Sequence, residues 1–575
     1  MTARAVSFVR RHPVGIAATA LSLVVMLPLL TPGFVLTYDM VFVPRPRLTK
    51  ALLGISGTLP RSVPTAGVVA LTSRVLTGEV VQKLALLGII LAGAVGAARL
   101  VRGARPVARI GAGLLYVWTP MMYERLLLGQ WAFLLGYALL PFAVSAALAF
   151  REGRPGGAWR LALALAATMA ASPYTGLFGA AIAAAVALWP RGATPGLARR
   201  AVALAGVAVL MNLPWAVPAL LHPAVPDRPA VAVEAFQARS DSPLGAVGSV
   251  LTLGGLWRPD LAPPGRETVA WIPAFVVIAG IGVLGFRGLR RRWPAGATDG
   301  LVAVAVLGVF LAVASSVPAL RAAPLFLVRH VPGGGVFRDA QKFIAPAILL
   351  LAVAFGHGLE RLHPPEGSRG VEARFALLAL LPVALAPTLA WAAGGELFTA
   401  SYPASWARAE RIMAADPAPG AVLLLPWHAY VPLSWNRSRP VLQPGADYFS
   451  RRSVADGSLV VGPFVLPAED PWARLAAPSV QGSGSLSPRL GRIGIRYVVL
   501  LKEADWRSFR SRIDGRPILE TTELSLYRGP PRSRTPRLDE VPAAPVVAAD
   551  AVTAAFLVIA AVGAVRARRR AGAAS

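Results

Sequence analysis

Long apolar runs parted by short basic segments set the pattern of this chain. A bilayer-crossing helix takes about 20 predominantly apolar residues. By that measure about twelve spans are predicted, near residues 14–36, 84–101, 107–122, 131–150, 158–171, 174–190, 201–221, 269–286, 300–320, 343–359, 374–393 and 543–565. Two of them, 158–171 and 174–190, are separated only by the tight turn Ser172-Pro-Tyr-Thr-Gly176. Every segment that the alternation puts on one side carries at least three arginines, as in Arg287, Arg290, Arg291 and Arg292. The positive-inside rule assigns that side, and both chain ends, to the cytoplasm. The first run is too long for the core of a signal peptide, and no small-residue cleavage pattern follows it, so it reads as a retained anchor.

Three stretches on the opposite side are too long to be turns. Residues 37–83 begin with Tyr38-Asp39 and continue into 62–82. There Val68, Val69, Leu71, Val75, Leu76 and Val80 mix with Arg74 and Glu79, as in a helix lying on the membrane interface. Residues 222–268 are rich in Pro, Gly and Ser and carry Asp227, Glu234, Asp241, Trp257 and Asp260. Residues 394–542 alternate short β-like runs (421–426, 495–501, 523–527) with helical ones (406–415, 504–513), the pattern of a small α/β domain. Residues 528–537 read as a linker into the last span. The expected fold class is therefore an α-helical polytopic membrane protein of about 12 transmembrane helices with a C-terminal extracytoplasmic α/β domain. Its divisions are 1–393 (about eleven spans, outer loops 37–83 and 222–268), 394–542, and 543–575 (the last span and a basic tail).

Composition agrees with that class. Of 575 residues, 55% are hydrophobic and 15% charged, too much apolar surface for a soluble protein of this size. A net charge of +29 suggests nucleic acid at first sight. Its arginines instead come in clusters between apolar runs, where anionic headgroups lie, so no nucleic-acid partner is expected. Lysine occurs only at positions 50, 83, 342 and 502, and cysteine is absent, which removes disulfides and thiolate metal sites. The six histidines show no metal-ligand spacing, and no Walker A, HExxH or GxSxG motif is present. No metal ligands are assigned. A divalent metal ion is the one cofactor left open.

Candidate chemistry lies at the outer ends of the spans. Asp39, among Phe34, Tyr38 and Phe42, is either a general base, because desolvation raises a carboxylate's proton affinity, or an interfacial helix cap. Tyr123-Glu124-Arg125 and Gln130 interrupt a helical hairpin. Such ionisable residues face a cavity or a partner, or else snorkel to the interface. Arg338, Asp339 and Lys342 open the tenth span. On a helix, 338 and 342 fall one turn apart on one face and could converge on an anion; the plain alternative is a capped helix start.

These features together resemble the GT-C superfamily of polytopic glycosyltransferases, which use polyprenyl-phosphate-linked sugars at the outer membrane face. The residues that carry the resemblance are Tyr38-Asp39 with the interfacial helix after it, the interrupted hairpin at Tyr123-Glu124-Arg125 and Gly129-Gln130, and the outer α/β domain. Val336-Phe-Arg-Asp-Ala-Gln-Lys-Phe343 and Leu490-Gly-Arg-Ile-Gly-Ile-Arg-Tyr-Val-Val499 look like the YfhO-type branch. The long first loop looks more like actinobacterial arabinofuranosyl- and mannosyltransferases.

The resemblance implies that Asp39 is the catalytic base. It also implies that Glu124 or Asp241 supplies a second carboxylate, since the family's acidic pair is incomplete here: position 37 is Thr and 41 is Val. The expected reaction is inverting transfer of a sugar from a polyprenyl-phosphate donor to a cell-envelope glycan, glycolipid or protein, at the outer face of a bacterial cytoplasmic membrane. Arg338 and Lys342, then Arg45, Arg47 and Arg125, are expected to stabilise the leaving phosphate. Tyr38, Tyr123, Gln130, Asp241 and Asp339 complete the expected binding set. A lipid or glycan transporter or flippase, and a non-catalytic assembly protein, remain as alternatives.

Overall fold

Apolar runs become helices and the basic breaks become turns in the computed structural model, which describes residues 12–56, 62–190, 196–222, 228–331, 333–363, 369–529 and 540–573. The basic start (Arg4, Arg10, Arg11), Asp227 and most of the 528–537 linker lie outside the described residues. Among the described residues, eight helices are long and apolar enough to cross a membrane, from Pro13–Leu30 to Ala543–Arg570. A further apolar pair, Phe375–Leu385 and Pro387–Gly394, is bent by 81° at the break between them. The shorter apolar helices Pro106–Val117, Gly157–Ala171 and Pro173–Leu188 pack among them. The protein is a multi-pass membrane protein.

Several boundaries differ from the sequence reading, each for a local reason. The first helix ends at Met26 and tightens into a 3₁₀ turn, Leu27–Leu30, before an extended segment, rather than running to 36. The interfacial helix expected over 62–82 is only Thr65–Thr72. Thr77 accepts a hydrogen bond from Val80 N (3.3 Å), an N-cap that starts the next span at Gly78. No continuous helix runs through 336–343. Two 3₁₀ turns, Gly334–Arg338 and Ala340–Ile344, meet at Asp339, whose backbone is non-helical, and the α-helix begins at Ala345.

The basic turns gather at one end. Arg102 reaches Glu152 (2.6 Å), Arg292 donates to Arg102 O (2.9 Å), and Glu360 accepts from Arg105 N (2.8 Å). The strands occupy the other end. They are β1 (Phe34–Val35), β2 (Thr399–Ala400), β3 (Ala421–Leu425), β4 (Tyr430–Leu433), β5 (Arg439–Leu442), β6 (Ser453–Val454), β7 (Leu459–Val461), β8 (Phe464–Leu466), β9 (Ile495–Leu501), β10 (Leu519–Glu520) and β11 (Leu524–Arg528). Five of them form a mixed sheet in the order β10-β11-β9-β3-β6, with β3 parallel to both β9 and β6. All five residues of β3 are buried, as expected for a central parallel strand covered on both faces. Val422 and Leu424 join the main core, whereas Ala421, Leu423 and Leu425 join a second core with Trp472 and Phe509, the period-two division of a strand.

Two pairings tie this region to the first loop. β1 is antiparallel to β2, with Phe34 opposite Ala400. Tyr38 donates from its N to Pro440 O (2.8 Å), and its carbonyl accepts from Leu442 N (2.9 Å), so the loop lies along β5 of the β4–β5 hairpin. From the membrane side Gln82 grips Val35 through both N (3.0 Å) and O (2.7 Å). The first loop is clamped from both directions.

Candidate functional site

Asp39 occupies the tip of a two-residue turn. Thr37 and Met40 exchange backbone hydrogen bonds (3.3 and 2.7 Å), and Tyr38 adopts the left-handed region with φ 39°. A non-glycine residue there is uncommon and costs on the order of 1–3 kcal/mol unless its surroundings fix it, a pattern that clusters at functional sites. The surroundings do fix it. Asp39 N donates to Leu128 O (3.1 Å) and Thr37 Oγ1 to Leu127 O (2.9 Å). Gly129, itself at φ +81°, lets the two backbones meet: a Cβ there would lie 2.3 Å from Thr37 O and 2.4 Å from Met40 N.

Each carboxylate oxygen of Asp39 has a donor. Tyr430 Oη, from β4, gives a 2.6 Å hydrogen bond to Oδ1, and Gln130 Nε2 gives a 3.1 Å bond to Oδ2. The side chain is half-buried and accessible. The carbonyl of Gln130 then accepts from Arg125 Nη1 (2.7 Å).

Arg125 is the hub beneath. Its guanidinium is fully buried and forks onto Asp339 through Nη1 and Nη2, both at 2.7 Å, while Nε donates to Gln341 Oε1 (2.8 Å). Lys342 Nζ lies 3.0 Å from Asp339 Oδ2 and 4.0 Å from the ring centre of Tyr174. Although burial works the other way, Arg125 and Lys342 hold the Asp339 carboxyl well below its ordinary range.

Glu124, on the short helix Pro120–Leu127 between two spans, accepts from Gln341 Nε2 through Oε2. Burial, followed by the charge of Asp241, pushes this carboxyl well above its ordinary range. Asp241 is itself fully buried, bonded to Arg266 Nε (3.2 Å) and Gly255 N (2.6 Å).

One network thus runs from Asp39 through Gln130, Arg125, Asp339, Lys342, Gln341 and Glu124 towards Asp241. Its members come from the first loop, the interrupted hairpin, the second outer loop and the start of the tenth span.

Other sequence candidates fall elsewhere. Arg338 turns away from Lys342, over the ring of Phe236 (4.9 Å) and 3.6 Å from Glu469, because the chain breaks at Asp339. The shared helix face expected for 338 and 342 does not exist. Arg125, buried with four hydrogen bonds, is held in place as a scaffold and offers no exposed donor to a ligand. Arg45 is exposed, Arg47 pairs with Glu410 (2.8 Å), and Tyr123 is buried.

Three residues that the sequence reading missed belong to the site. Tyr430 and Gln341 carry no charge to mark them. Arg258 stacks over Tyr38 (4.9 Å), donates to its hydroxyl (3.2 Å) and is anchored by Asp260 (2.8 and 2.6 Å). Among the described residues no three His, Asp or Glu side chains converge as metal ligands. The carboxylates of the network face Arg, Lys, Gln and Tyr donors instead, so this donor set does not fit a divalent ion.

No protein-family model matches the chain, and no curated protein matches it in sequence. The fold does match. The mycobacterial arabinofuranosyltransferase AftD superposes with a TM-score of 0.59 at 17% identity, over 90% of this chain and 40% of that one. Its R1389S mutant gives 0.59 at 16%, over 90% and 42%. ArnT from Cupriavidus metallidurans bound to undecaprenyl phosphate gives 0.41 at 11%, over 90% and 98%. The chain spans less than half the length of AftD and shares its fold over that part.

Proposed function

We propose that the protein is an inverting glycosyltransferase that moves a sugar from a polyprenyl-phosphate donor to a cell-envelope glycan, glycolipid or protein. The basic turns would face the cytoplasm with both chain ends, and Asp39 with the α/β domain of residues 394–542 would lie outside. One observation carries the reading. Asp39 is an accessible carboxylate with both oxygens oriented, on a strained turn clamped from two sides, and linked through Gln130 and Arg125 to Asp339 and its partner Lys342.

In this reaction Asp39 takes the proton of the acceptor hydroxyl as its oxygen attacks the anomeric carbon. The bond from that carbon to the phosphate oxygen breaks, and polyprenyl phosphate leaves with the electron pair. Lys342 and Arg258 would stabilise the growing phosphate charge: Asp339 is the one carboxylate paired with Lys342 Nζ among the described residues, and Arg258, anchored by Asp260, lies against Tyr38 at the accessible side. Arg125, Gln130 and Tyr430 keep the base in place.

The test is transfer from a radiolabelled undecaprenyl-phosphate sugar by purified Asp39→Asn. The near-isosteric change should slow transfer by about 10²–10⁴-fold, as loss of a general base does, with an unchanged melting temperature. A wild-type rate overturns the proposal.

A further inference from the structure

Next to Asp39 the chain leaves a pocket of about 120 Å³, several times the room one water needs. Three regions wall it: the segment after Asp39, the interfacial helix Thr65–Thr72 and the start of the helix Trp131–Arg151, with residues 446–450 of the α/β region closing it. We propose that this pocket binds a neutral saccharide unit of the acceptor, an inference that rests on the glycosyl-transfer reading above.

The lining has the chemistry of sugar recognition. Trp131 presents a partly exposed ring, braced by Phe42 at 4.9 Å, and an aromatic face attracts the C–H edges of a pyranose or furanose ring. Arg47 and Asp447 bring opposite charges to the same pocket, one donating and one accepting, as vicinal hydroxyls require. Among the described residues the Asp447 carboxylate has no hydrogen bond or ion pair of its own, in a chain with 58 basic residues to 29 acidic ones. Arg47 is held at the rim by Glu410.

The charges also choose the occupant. A prenyl chain would leave Asp447 against hydrocarbon without a partner, and a phosphate would meet its charge. A neutral polyol satisfies both. The apolar side chains that a lipid tail would cover lie elsewhere on the interfacial helix, where Val68 and Leu71 are 45% and 51% exposed.

Position completes the argument. Val41 is two residues from Asp39, at most about 7 Å along an extended chain. Trp131 directly follows Gln130, which bonds Asp39. A glycan seated on Trp131 reaches the base with its next unit.

The experiment uses the full chain in detergent and two neutral probes, an α-arabinofuranosyl hexasaccharide and an α-mannosyl trisaccharide. Binding is read by tryptophan fluorescence and saturation-transfer NMR, with undecaprenyl phosphate as a separate ligand. At least one oligosaccharide binds the wild type. Asp447→Asn, which removes the acceptor charge, and Ala446→Trp, which fills the pocket from an exposed position, should each weaken it tenfold or more and leave undecaprenyl phosphate affinity unchanged. Failure of both oligosaccharides to bind the wild type overturns the assignment, as does a loss under tenfold in either variant or a loss of undecaprenyl phosphate binding instead. Because saccharide binding is read without turnover, an active Asp39→Asn would remove the proposed reaction independently of the pocket.

Discussion

The inner and outer halves of the Asp39 site use the same kinds of side chain to opposite ends. Inside, Arg125 and Asp339 are almost wholly enclosed and spend their capacity on each other and on neighbouring amides. Outside, Asp39 keeps an accessible side and is held by one hydroxyl and one amide, and Arg258 keeps one while anchored by the partly exposed Asp260. A charge deep in a low-dielectric site must be matched, so it becomes rigid and chemically inert. Reactivity is left to groups at the boundary, which the matched charges orient.

Breaking the inner half should have the largest effect. Arg125→Ala strands Asp339 without its fork, and loss of one partner of a buried pair costs about 3–5 kcal/mol. Thermal unfolding should show a large drop in Tm, with activity lost as a consequence. A small shift in Tm would mean that the pair is not the scaffold described.

Gly129→Ala attacks the seam between the halves. Its Cβ overlaps the backbone of the Asp39 turn and its φ is +81°. Displacing the base by about 1 Å should slow transfer on the order of 10²-fold. Full activity in this variant would show that the turn tolerates another position.

Tyr430→Phe removes one donor from the outer half. A hydrogen bond to a charged group contributes about 1.5–3 kcal/mol. The loss should appear in the transfer rate and in its pH profile, with little change in Tm.

The smallest effect separates the two buried carboxyls. Glu124 is pushed up by burial and by Asp241, which favours its neutral form, so the near-isosteric Glu124→Gln should change stability by less than about 1 kcal/mol. The folded state binds the extra proton. Raising pH through and above the ordinary carboxylate range should therefore erode wild-type stability relative to Glu124→Gln. Asp339 has the opposite sign. Its contribution is present above the unfolded value near 4 and is lost as pH falls towards its depressed folded value, so the Tm gap between wild type and Asp339→Asn should narrow in acid.

The eight long apolar helices could be read from sequence because bulk hydrophobicity alone marks them. The break in the 374–393 run could not: Pro387 marks it, but nothing local in the sequence gives the 81° turn or the left-handed Trp391, Ala392 and Ala393. Among site residues, Asp39 and Arg125 stood out because charge is rare beside apolar runs. The pairing of Arg338 with Lys342 failed because it assumed a helix through Asp339. Tyr430, 391 residues from Asp39, carries no local signal that it donates to the Asp39 carboxylate. Contacts at that separation belong to the tertiary fold.

That separation also orders events during synthesis. At about 5–20 residues per second, Tyr430 leaves the ribosome roughly 20–80 s after Asp39, and β5, which aligns the Asp39 turn, follows it. Until then the first loop lacks the edge against which it is set. The nascent chain would thread most of its helices into the bilayer before the Asp39 turn is fixed, and the proposed site would form late, when the α/β region folds and docks on it.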